Sequence, residues 1–144
     1  MADNFAMPDW MVQHIELYKT DPAKAHMWTS PYGGDPIPTL LLTTTGRKSG
    51  NSLALPLIYK QVGNGFVIIA SKGGAPAHPA WFLNLQADPE CQFQVGETIY
   101  KGTARVATGD ERSDLWAQMA ALFPPYEDYR KATSREIPVV VLEA

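Results

Sequence analysis

The sequence predicts an α+β domain in which six strands form a small, mostly antiparallel barrel flanked by about three helices. Three observations support this prediction. Apolar or alternating stretches of strand length recur along the chain, and short Gly-containing turns join several of them. These stretches do not alternate regularly with helices, as a doubly wound parallel sheet would require. The 144 residues form a single predicted domain, with a helix in 1–20 and the barrel with its helices in 36–144.

The first half of the chain is predicted to contain one helix and three strands. An amphipathic pattern indicates a helix over Pro8–Lys19 with Asp9 as a possible cap, and residues 21–38 are expected to be an irregular connection. A Gly-Asn-Gly turn at 62–65 indicates a hairpin between the last two strands. The three strands are expected over Ile37–Thr45, Leu53–Gln61 and Phe66–Ser71. Pro56 indicates an edge or a bulge, because proline has no N–H for a central ladder.

The second half is predicted to contain two helices and three strands. Pro79 suits the first turn of a helix that runs to about Ala87 and buries Trp81, Phe82 and Leu85. The Thr-x-x-Glu spacing at 108–111 indicates a capping box for a helix that ends near 122, before Phe-Pro-Pro. Residues 126–135 are expected to be a turn or short helix. The strands are expected over Cys91–Val95, Thr98–Ala107 and Ile137–Glu143.

Composition excludes several functional classes. The single Cys91 rules out an internal disulfide and is expected to be a buried, inert thiol. The three histidines lack metal-ligand spacing, so no metal site is expected. The net charge of −3 argues against nucleic-acid binding. No apolar run approaches the ~18 residues of a membrane span, and no secretion signal is visible. We therefore expect a cytoplasmic protein without stable membrane insertion, and peripheral membrane association stays open.

The charges are unevenly distributed along the chain. Residues 36–87 contain no Asp or Glu but hold Arg47, Lys48, Lys60 and Lys72, a formal charge of +4 in an acidic protein. Such a segment indicates a local site for an anion. Strand-rich segments also have few acids by composition, which is the alternative explanation.

The end of the strand at 37–45 is the strongest candidate for the anion site. Two cations, Arg47 and Lys48, stand between Gly46 and Gly50. Backbone N–H groups and positive side chains in such a turn can meet at one phosphate or carboxylate. The spacing is not that of a Walker P-loop. A merely solvated basic turn is the alternative.

Three further segments could complete a pocket. Ser71-Lys72-Gly73-Gly74 ends another strand in small and cationic residues, and the helix near Pro79 points its free N–H groups the same way. The stretch 81–84 could wall a planar ring, with Asn84 bonded to a ring heteroatom. Tyr126 and Tyr129 could line a pocket for flat substrates. Simple core packing is the alternative for both. Cations, glycines and aromatics with few titratable groups suit a cofactor that carries the chemistry.

Taken in order, these segments resemble the deazaflavin (coenzyme F420)-dependent nitroreductase and quinone reductase family, in its actinobacterial subgroup of small split β-barrels. The resemblance runs from about Trp10 to Leu142. It is carried by residues 41–50, 56–59, 70–76, 78–85, 111–116, 125–129 and 135–140. It implies a six-stranded split barrel like the FMN-binding ones, loaded with coenzyme F420. It also implies hydride transfer to a small electron-poor acceptor, such as a quinone, an α,β-unsaturated carbonyl or lactone of the coumarin type, or a nitroaromatic compound.

The resemblance also implies roles for individual residues. Arg47, Lys48 and Ser49 would lie at the phosphate and acidic tail of the cofactor. Ser71, Tyr126 and Tyr129 would be catalytic and stabilise charge on the acceptor. The other implied cofactor-binding residues are Leu53, Ala54, Leu55, Pro56, Leu57, Ile58, Ile69, Ala70, Lys72, Ala80, Trp81, Phe82, Leu83 and Asn84, with Ser71 shared between both roles.

The sequence departs from the family pattern at two positions. Family members commonly carry Arg where this chain has Leu53, and relatives can have Tyr where it has Phe123. The first change removes a cation near the cofactor phosphate, and the second removes a possible substrate hydrogen bond. An FMN-dependent oxidoreductase on the same barrel and a non-catalytic F420 carrier remain as alternatives, and an oligomer is possible.

Overall fold

The computed structural model describes residues 8–30 and 34–144, which form an α+β fold with one antiparallel sheet curled into a half-barrel. The helices are α1 (Asp9–Thr20), α2 (Pro22–Ala25), α3 (Ala80–Ala87), α4 (Gly109–Leu122) and α5 (Pro125–Ala132). The strands are β1 (Met27–Trp28), β2 (Ile37–Thr45), β3 (Ser52–Ile58), β4 (Lys60–Val62), β5 (Gly65–Ile69), β6 (Glu90–Val95), β7 (Thr98–Val106) and β8 (Val139–Glu143). A 3₁₀ turn covers Lys72–Gly74.

The described ranges contain eight strands, so the predicted number of six strands is wrong. The difference arises at two places in the chain. A two-residue strand, β1, lies in the connection expected to be irregular and pairs with the start of β2. The strand expected over 53–61 is divided at Tyr59, whose N–H donates to the carbonyl oxygen of Pro38 at 3.2 Å. Residues 52–58 pair with β2, whereas 60–62 pair with β5. Part of the irregular connection, residues 31–33, lies outside the described residues.

The division at Tyr59 also explains the curl of the sheet. The hydrogen-bonded order is β1-β2-β6-β7-β8-β5-β4, and β3 pairs with β2 alone. One residue separates β3 at one edge from β4 at the other, so the sheet must bend until these edges meet. Tyr59 is buried at this corner, and a hydrogen bond of 2.5 Å joins its hydroxyl to Nε2 of His26. The edge position predicted for Pro56 is confirmed, since its strand has one partner.

Both faces of the central strands are buried, so there are two core clusters. On β5, Phe66 and Ile68 point into the barrel, and Val67 and Ile69 point to the opposite face. The strand is therefore a continuous apolar run rather than an alternating one. The barrel cluster also contains the residues expected to be buried on α3, namely Trp81, Phe82 and Leu85. The outer cluster packs α4 and α5 against β5 and β8.

The described ranges contain five helices instead of about three. The two additions are the four-residue α2 and α5, where a turn or short helix was expected. The capping box at Thr108 is wrong: its side chain makes no cap hydrogen bond. Glu111 instead forms a bidentate ion pair with Arg105, at 2.6 and 2.9 Å. Asp9 is a first-turn residue of α1, which begins after Pro8 without a side-chain cap.

Candidate functional site

A pocket of about 830 Å³ opens between β3, the end of β5, and helices α1, α3 and α5. It brings together most of the site residues predicted from sequence. These are Leu53, Ala54, Leu55, Pro56, Leu57, Ile58, Ile69, Ser71, Lys72, Ala80, Trp81, Asn84, Tyr126 and Tyr129. Residues 53–58 of β3 line the pocket one after another, and among the described strands β3 pairs with β2 alone. Six predicted residues do not line it: Arg47, Lys48, Ser49, Ala70, Phe82 and Leu83.

A wall formed by α1, β1 and β2 adds lining residues that had no predicted site role. These are Trp10, Met11, His14, Trp28, Thr29, Thr39 and Thr44. The lining also includes Gly73, Pro79 and Phe123, from segments expected beside the pocket. Trp10 stacks on Trp28 with ring centroids 5.8 Å apart, and Trp28 packs against Phe123 at 6.3 Å. The amphipathic pattern of α1 predicted a helix that packs on the barrel or covers a pocket mouth, and Trp10, Met11 and His14 do line the pocket.

Polar contacts hold α1 against the barrel. The His14 Nε2–H group donates to the carbonyl oxygen of Ala25 at 2.8 Å, and the hydroxyl of Tyr18 donates to the carbonyl oxygen of Thr39. Burial is the main cause that raises the pKa of Tyr18, to about 12, so its hydroxyl remains a hydrogen-bond donor at neutral pH. These contacts place the helix as one wall of the pocket.

The basic turn is attached to α3 by one buried amide. Asn84, 1% exposed, accepts from Arg47 twice, from the backbone N–H at 3.1 Å and from a guanidinium nitrogen at 2.9 Å. Its Nδ2 donates to the hydroxyl of Thr44 at 3.3 Å. Two Oδ1 lone pairs and one amide hydrogen are therefore in use, which leaves one amide hydrogen for a ligand. Asn84 thus attaches the basic turn to α3 at the pocket.

Several backbone N–H groups at the basic turn have partners within the protein. Gly46 donates to the Asn51 carbonyl oxygen, Gly50 to the Gly46 carbonyl oxygen, and Arg47 to Asn84 of α3. The N–H group of Asn51, after the turn, donates to the hydroxyl of Ser49. Lys48 is exposed.

The second strand end forms a tight loop at the pocket. Lys72, Gly73 and Gly74 have φ of +47°, +62° and +82°. A Cβ on Gly74 would lie 3.0 Å from the carbonyl oxygen of Tyr129 in α5, so glycine lets the loop and helix touch. Lys72 is the only Lys, Arg, Asp or Glu among the described lining residues. The described part of the lining therefore carries one positive charge and no carboxylate.

One organising residue of this loop was missed as a site residue. The guanidinium of Arg135 donates to the carbonyl oxygens of Ala70, Ser71 and Ala75 at 3.2, 2.8 and 2.9 Å, and to Nδ1 of His78 at 2.9 Å. Burial, and then the Arg135 charge, lower the pKa of His78, which keeps its ring neutral as an acceptor. No local pattern links residue 135 to residues 70–78.

The aromatic end of the pocket is built by Phe123, which follows α4, and by two tyrosines of α5. Tyr126 is buried and meets Phe123 and Tyr129 edge-on, with centroids 5.1 and 6.2 Å apart. Burial, and then the neighbouring Tyr129, raise the pKa of Tyr126, so its hydroxyl stays protonated. A protonated phenol can donate a hydrogen bond to an oxygen that gains negative charge.

The remaining predictions concern residues outside the pocket. Cys91 is half-buried, not buried as expected, because it lies at the edge of the barrel cluster. Burial is the main cause that raises the pKa of its thiol to about 11, so the group stays protonated at neutral pH. In residues 8–30 and 34–144 no cluster of metal-ligating side chains occurs. No helix within these ranges has the length and apolarity needed to span a bilayer.

The pocket is open and apolar, and aromatic side chains and a β-strand form its walls. Lys72 gives its lining a positive charge, and Gly73 lies at its surface. Such a pocket is typical of proteins that bind a planar, anionic cofactor.

The comparison with known proteins identifies the family. Residues 14–144 match the sequence model of the F420H(2)-dependent quinone reductases, and the chain belongs to this family. The predictions of an oxidoreductase and of coenzyme F420 as its cofactor are confirmed.

Individual relatives agree with this assignment. An F420H(2)-dependent quinone reductase of Mycobacterium tuberculosis strain H37Rv is 40% identical over 108 residues, which is 73% of this chain and 72% of the relative. The solved structure of an F420-H2-dependent reductase is 39% identical, covers 73% of this chain and 93% of its own, and superposes with a TM-score of 0.68. A domain-swapped dimer, 33% identical, covers 92% and 95% of the two chains with a TM-score of 0.71.

Proposed function

We propose that this protein reduces a quinone with coenzyme F420 bound in the 830 Å³ pocket, and that the pocket is a cofactor and acceptor site of the split-barrel type. When bound, reduced F420 supplies a hydride to the acceptor, and one further proton, from the site or water, completes the hydroquinone. The observation that carries the proposal is the pocket itself, which combines flat apolar walls with Lys72 and lacks carboxylates. These features suit a planar ring and an anionic chain.

The ring is assigned to the walls formed by β3, the end of β5 and α3. Leu55, Leu57 and Ile69 offer apolar contact, and Ala80 and Trp81 close the opposite side. Such walls exclude water and hold two flat molecules in register, which lowers the barrier to hydride transfer. Phe82 and Leu83 do not line the pocket, and buried Phe82 acts by packing beneath it.

The anionic part of the cofactor is assigned to the basic turn. Lys48 and Ser49 are exposed there, and Asn84 holds Arg47 beside the pocket. Leu53, at the position where the family resemblance implies Arg, lies at the pocket and is 36% exposed. Lys72 takes over part of the missing charge, because it lines the same pocket.

The acceptor is assigned to the aromatic end formed by Phe123, Tyr126 and Tyr129. The protonated hydroxyl of Tyr126 and the hydroxyl of Ser71 are the groups that would stabilise charge on the acceptor oxygen. This chemistry extends from quinones to other flat, electron-poor acceptors, namely α,β-unsaturated carbonyls, coumarin-type lactones and nitroaromatics. Phe123 has no hydroxyl, so acceptors that need a third hydrogen bond are disfavoured.

Two titrations and one turnover assay test the proposal. Purified protein is titrated with F420 and, separately, with FMN, with binding followed by fluorescence. Loss of reduced F420 absorbance is then recorded with menadione as the quinone. We expect F420 binding and protein-dependent oxidation. Binding of FMN alone would overturn the cofactor assignment, and F420 binding without turnover across a panel of acceptors would indicate a carrier.

We also propose that the protein forms an oligomer in solution, which is supported by the 33% identical relative that is a domain-swapped dimer. Light scattering coupled to size-exclusion chromatography tests this: a dimer is expected, and a mass of 15.9 kDa at all concentrations would contradict it.

A further inference from the structure

Arg135 lies outside the pocket lining, yet it holds the backbone of one pocket wall. Its guanidinium reaches the carbonyl oxygens of Ala70, Ser71 and Ala75, and also His78. These four acceptors span nine residues around the loop that places Ser71, Lys72 and Gly73 at the pocket. A single side chain thus ties both ends of the loop to one point.

The loop needs such support because its backbone conformation is unfavourable for an ordinary residue. Lys72 has φ of +47°, a left-handed conformation that L-residues other than glycine rarely adopt. Strained conformations persist only where the surrounding structure holds them. The backbone bonds of the turn, Gly74 N–H to Ser71 at 3.0 Å and Ala75 N–H to Lys72 at 3.1 Å, are short-range. Long-range support comes from the contacts of Arg135, from the packing of Gly74 on Tyr129 of α5, and from the Ala70 N–H group, which donates to the carbonyl oxygen of Pro138 at 3.0 Å.

We propose that Arg135 is a positioning residue for the hydride-transfer reaction, which fixes Ser71 and Lys72 in the pocket wall without touching either reactant. This inference rests on the function proposed above. The planar guanidinium is required, because its N–H groups diverge toward three carbonyl oxygens and an imidazole at once. A lysine ammonium is a single point and cannot reach all four.

The neutral ring of His78 is part of this arrangement. Its Nδ1 accepts from the guanidinium, and the ring packs on Phe82 with centroids 4.9 Å apart. Among the groups described around it, Arg135 is the charged one, so a protonated ring would face a cation and lose its role as acceptor. The loop is therefore held by one cation and a set of neutral acceptors.

The first test measures the loop directly and needs no cofactor. Trypsin cleavage after Lys72 is followed by mass spectrometry in the protein without substitutions, in Arg135→Ala and in Arg135→Lys. We expect cleavage to become about 10-fold faster or more, because local opening exposes the bond once charge-assisted hydrogen bonds are lost. Arg105→Ala is the matched control. It loses ion pairs to Glu111 and Glu143 on the exposed side of β7 and leaves the rate after Lys72 unchanged.

The second test measures positioning. With reduced F420 and menadione, Arg135→Ala is expected to lower kcat about 10-fold or more while the KM for menadione changes less than about 3-fold, since misplaced groups chiefly affect the transition state. Millimolar guanidinium should restore part of kcat in Arg135→Ala and none in Arg105→Ala. Arg135→Lys, expected to fold because it keeps the charge and stem, should show an intermediate defect.

The outcomes separate the two proposals. Unchanged cleavage after Lys72 in both Arg135 variants would overturn the positioning role, whatever the activity. Faster cleavage with an unchanged kcat and no guanidinium effect would reduce Arg135 to a purely structural residue, which also overturns it. Faster cleavage in a protein that binds no F420 would instead contradict the proposed function and leave the support of the loop by Arg135 intact.

Discussion

Replacing Asn84 with alanine tests the attachment of the basic turn to the pocket. The side chain is 1% exposed and makes three hydrogen bonds, two accepted from Arg47 and one donated to Thr44. Arg47 lies 37 residues away in sequence, and Thr44 lies 40 away. Asn84→Ala therefore cuts the link between α3 and the end of β2 and leaves a buried Thr44 hydroxyl without this partner.

The size of the effect follows from the kinds of bond lost. A hydrogen bond to a charged group contributes about 1.5–3 kcal/mol and a neutral one about 0.5–1.5 kcal/mol. Arg47 is half-buried and regains water in the variant, so we expect a loss of about 2–3 kcal/mol in the free energy of unfolding. For a chain of 144 residues this lowers Tm by about 5–10 °C.

Thermal denaturation of the cofactor-free protein measures this loss. Gln118→Ala is the control, because it also removes one amide, here from a surface hydrogen bond of 3.0 Å to Asp114 on α4. A surface change of this kind shifts stability by about 0.5 kcal/mol or less. An F420 titration of the same variants should show weaker binding in Asn84→Ala alone. If Asn84→Ala and Gln118→Ala melted within about 2 °C of each other, the stabilising attachment of the basic turn by Asn84 would be refuted.

Three further predictions address charge, the acceptor and pH. Lys48→Ala should weaken F420 binding about 2- to 5-fold at low salt and less at high salt, whereas an equal Kd at both would contradict its role at the anionic tail. Tyr126→Phe should leave the F420 Kd unchanged and lower kcat with menadione, and an unaltered kcat would remove its hydroxyl from the reaction. Burial and Arg135 lower the pKa of His78, so its stabilising contribution exists above pH 6.5 and is lost as pH falls below it. Tm should therefore drop more between pH 6.5 and 5 in the natural protein than in His78→Gln, and parallel curves would contradict this.

Elements with a strong local pattern could be predicted from the sequence. The strand β2 begins and ends at the predicted residues because its apolar run stops at the glycine of the basic turn. The helix α4 ends at Leu122, as the following Phe-Pro-Pro requires. Most lining residues on β3 and α3 were also predicted, although from the resemblance to a family rather than from periodicity.

The errors lie where a tertiary contact overrules a local signal. The predicted capping box at Thr108 does not form, because the carboxylate of Glu111 pairs with Arg105 on β7 instead. The predicted long strand over 53–61 is divided because the chain changes partners at Tyr59. The four-residue α2 and two-residue β1 are too short to carry a period. No window of sequence contains the information that decides these features.

The sequence by itself determined the α+β class, the order of the main strands and helices, and the segment without acidic residues. It also determined the short motifs by which the chain resembles the F420-dependent reductases. These depend on the spacing of apolar residues and on short motifs, which are local properties. Only the tertiary structure decided that α1 walls the pocket, that Asn84 holds the basic turn and that Arg135 supports the loop at Ser71. The hydrogen bonds of Asn84 and Arg135 join residues 37–65 positions apart, and those that hold α1 join residues 11 and 21 positions apart, so they form only when the chain folds.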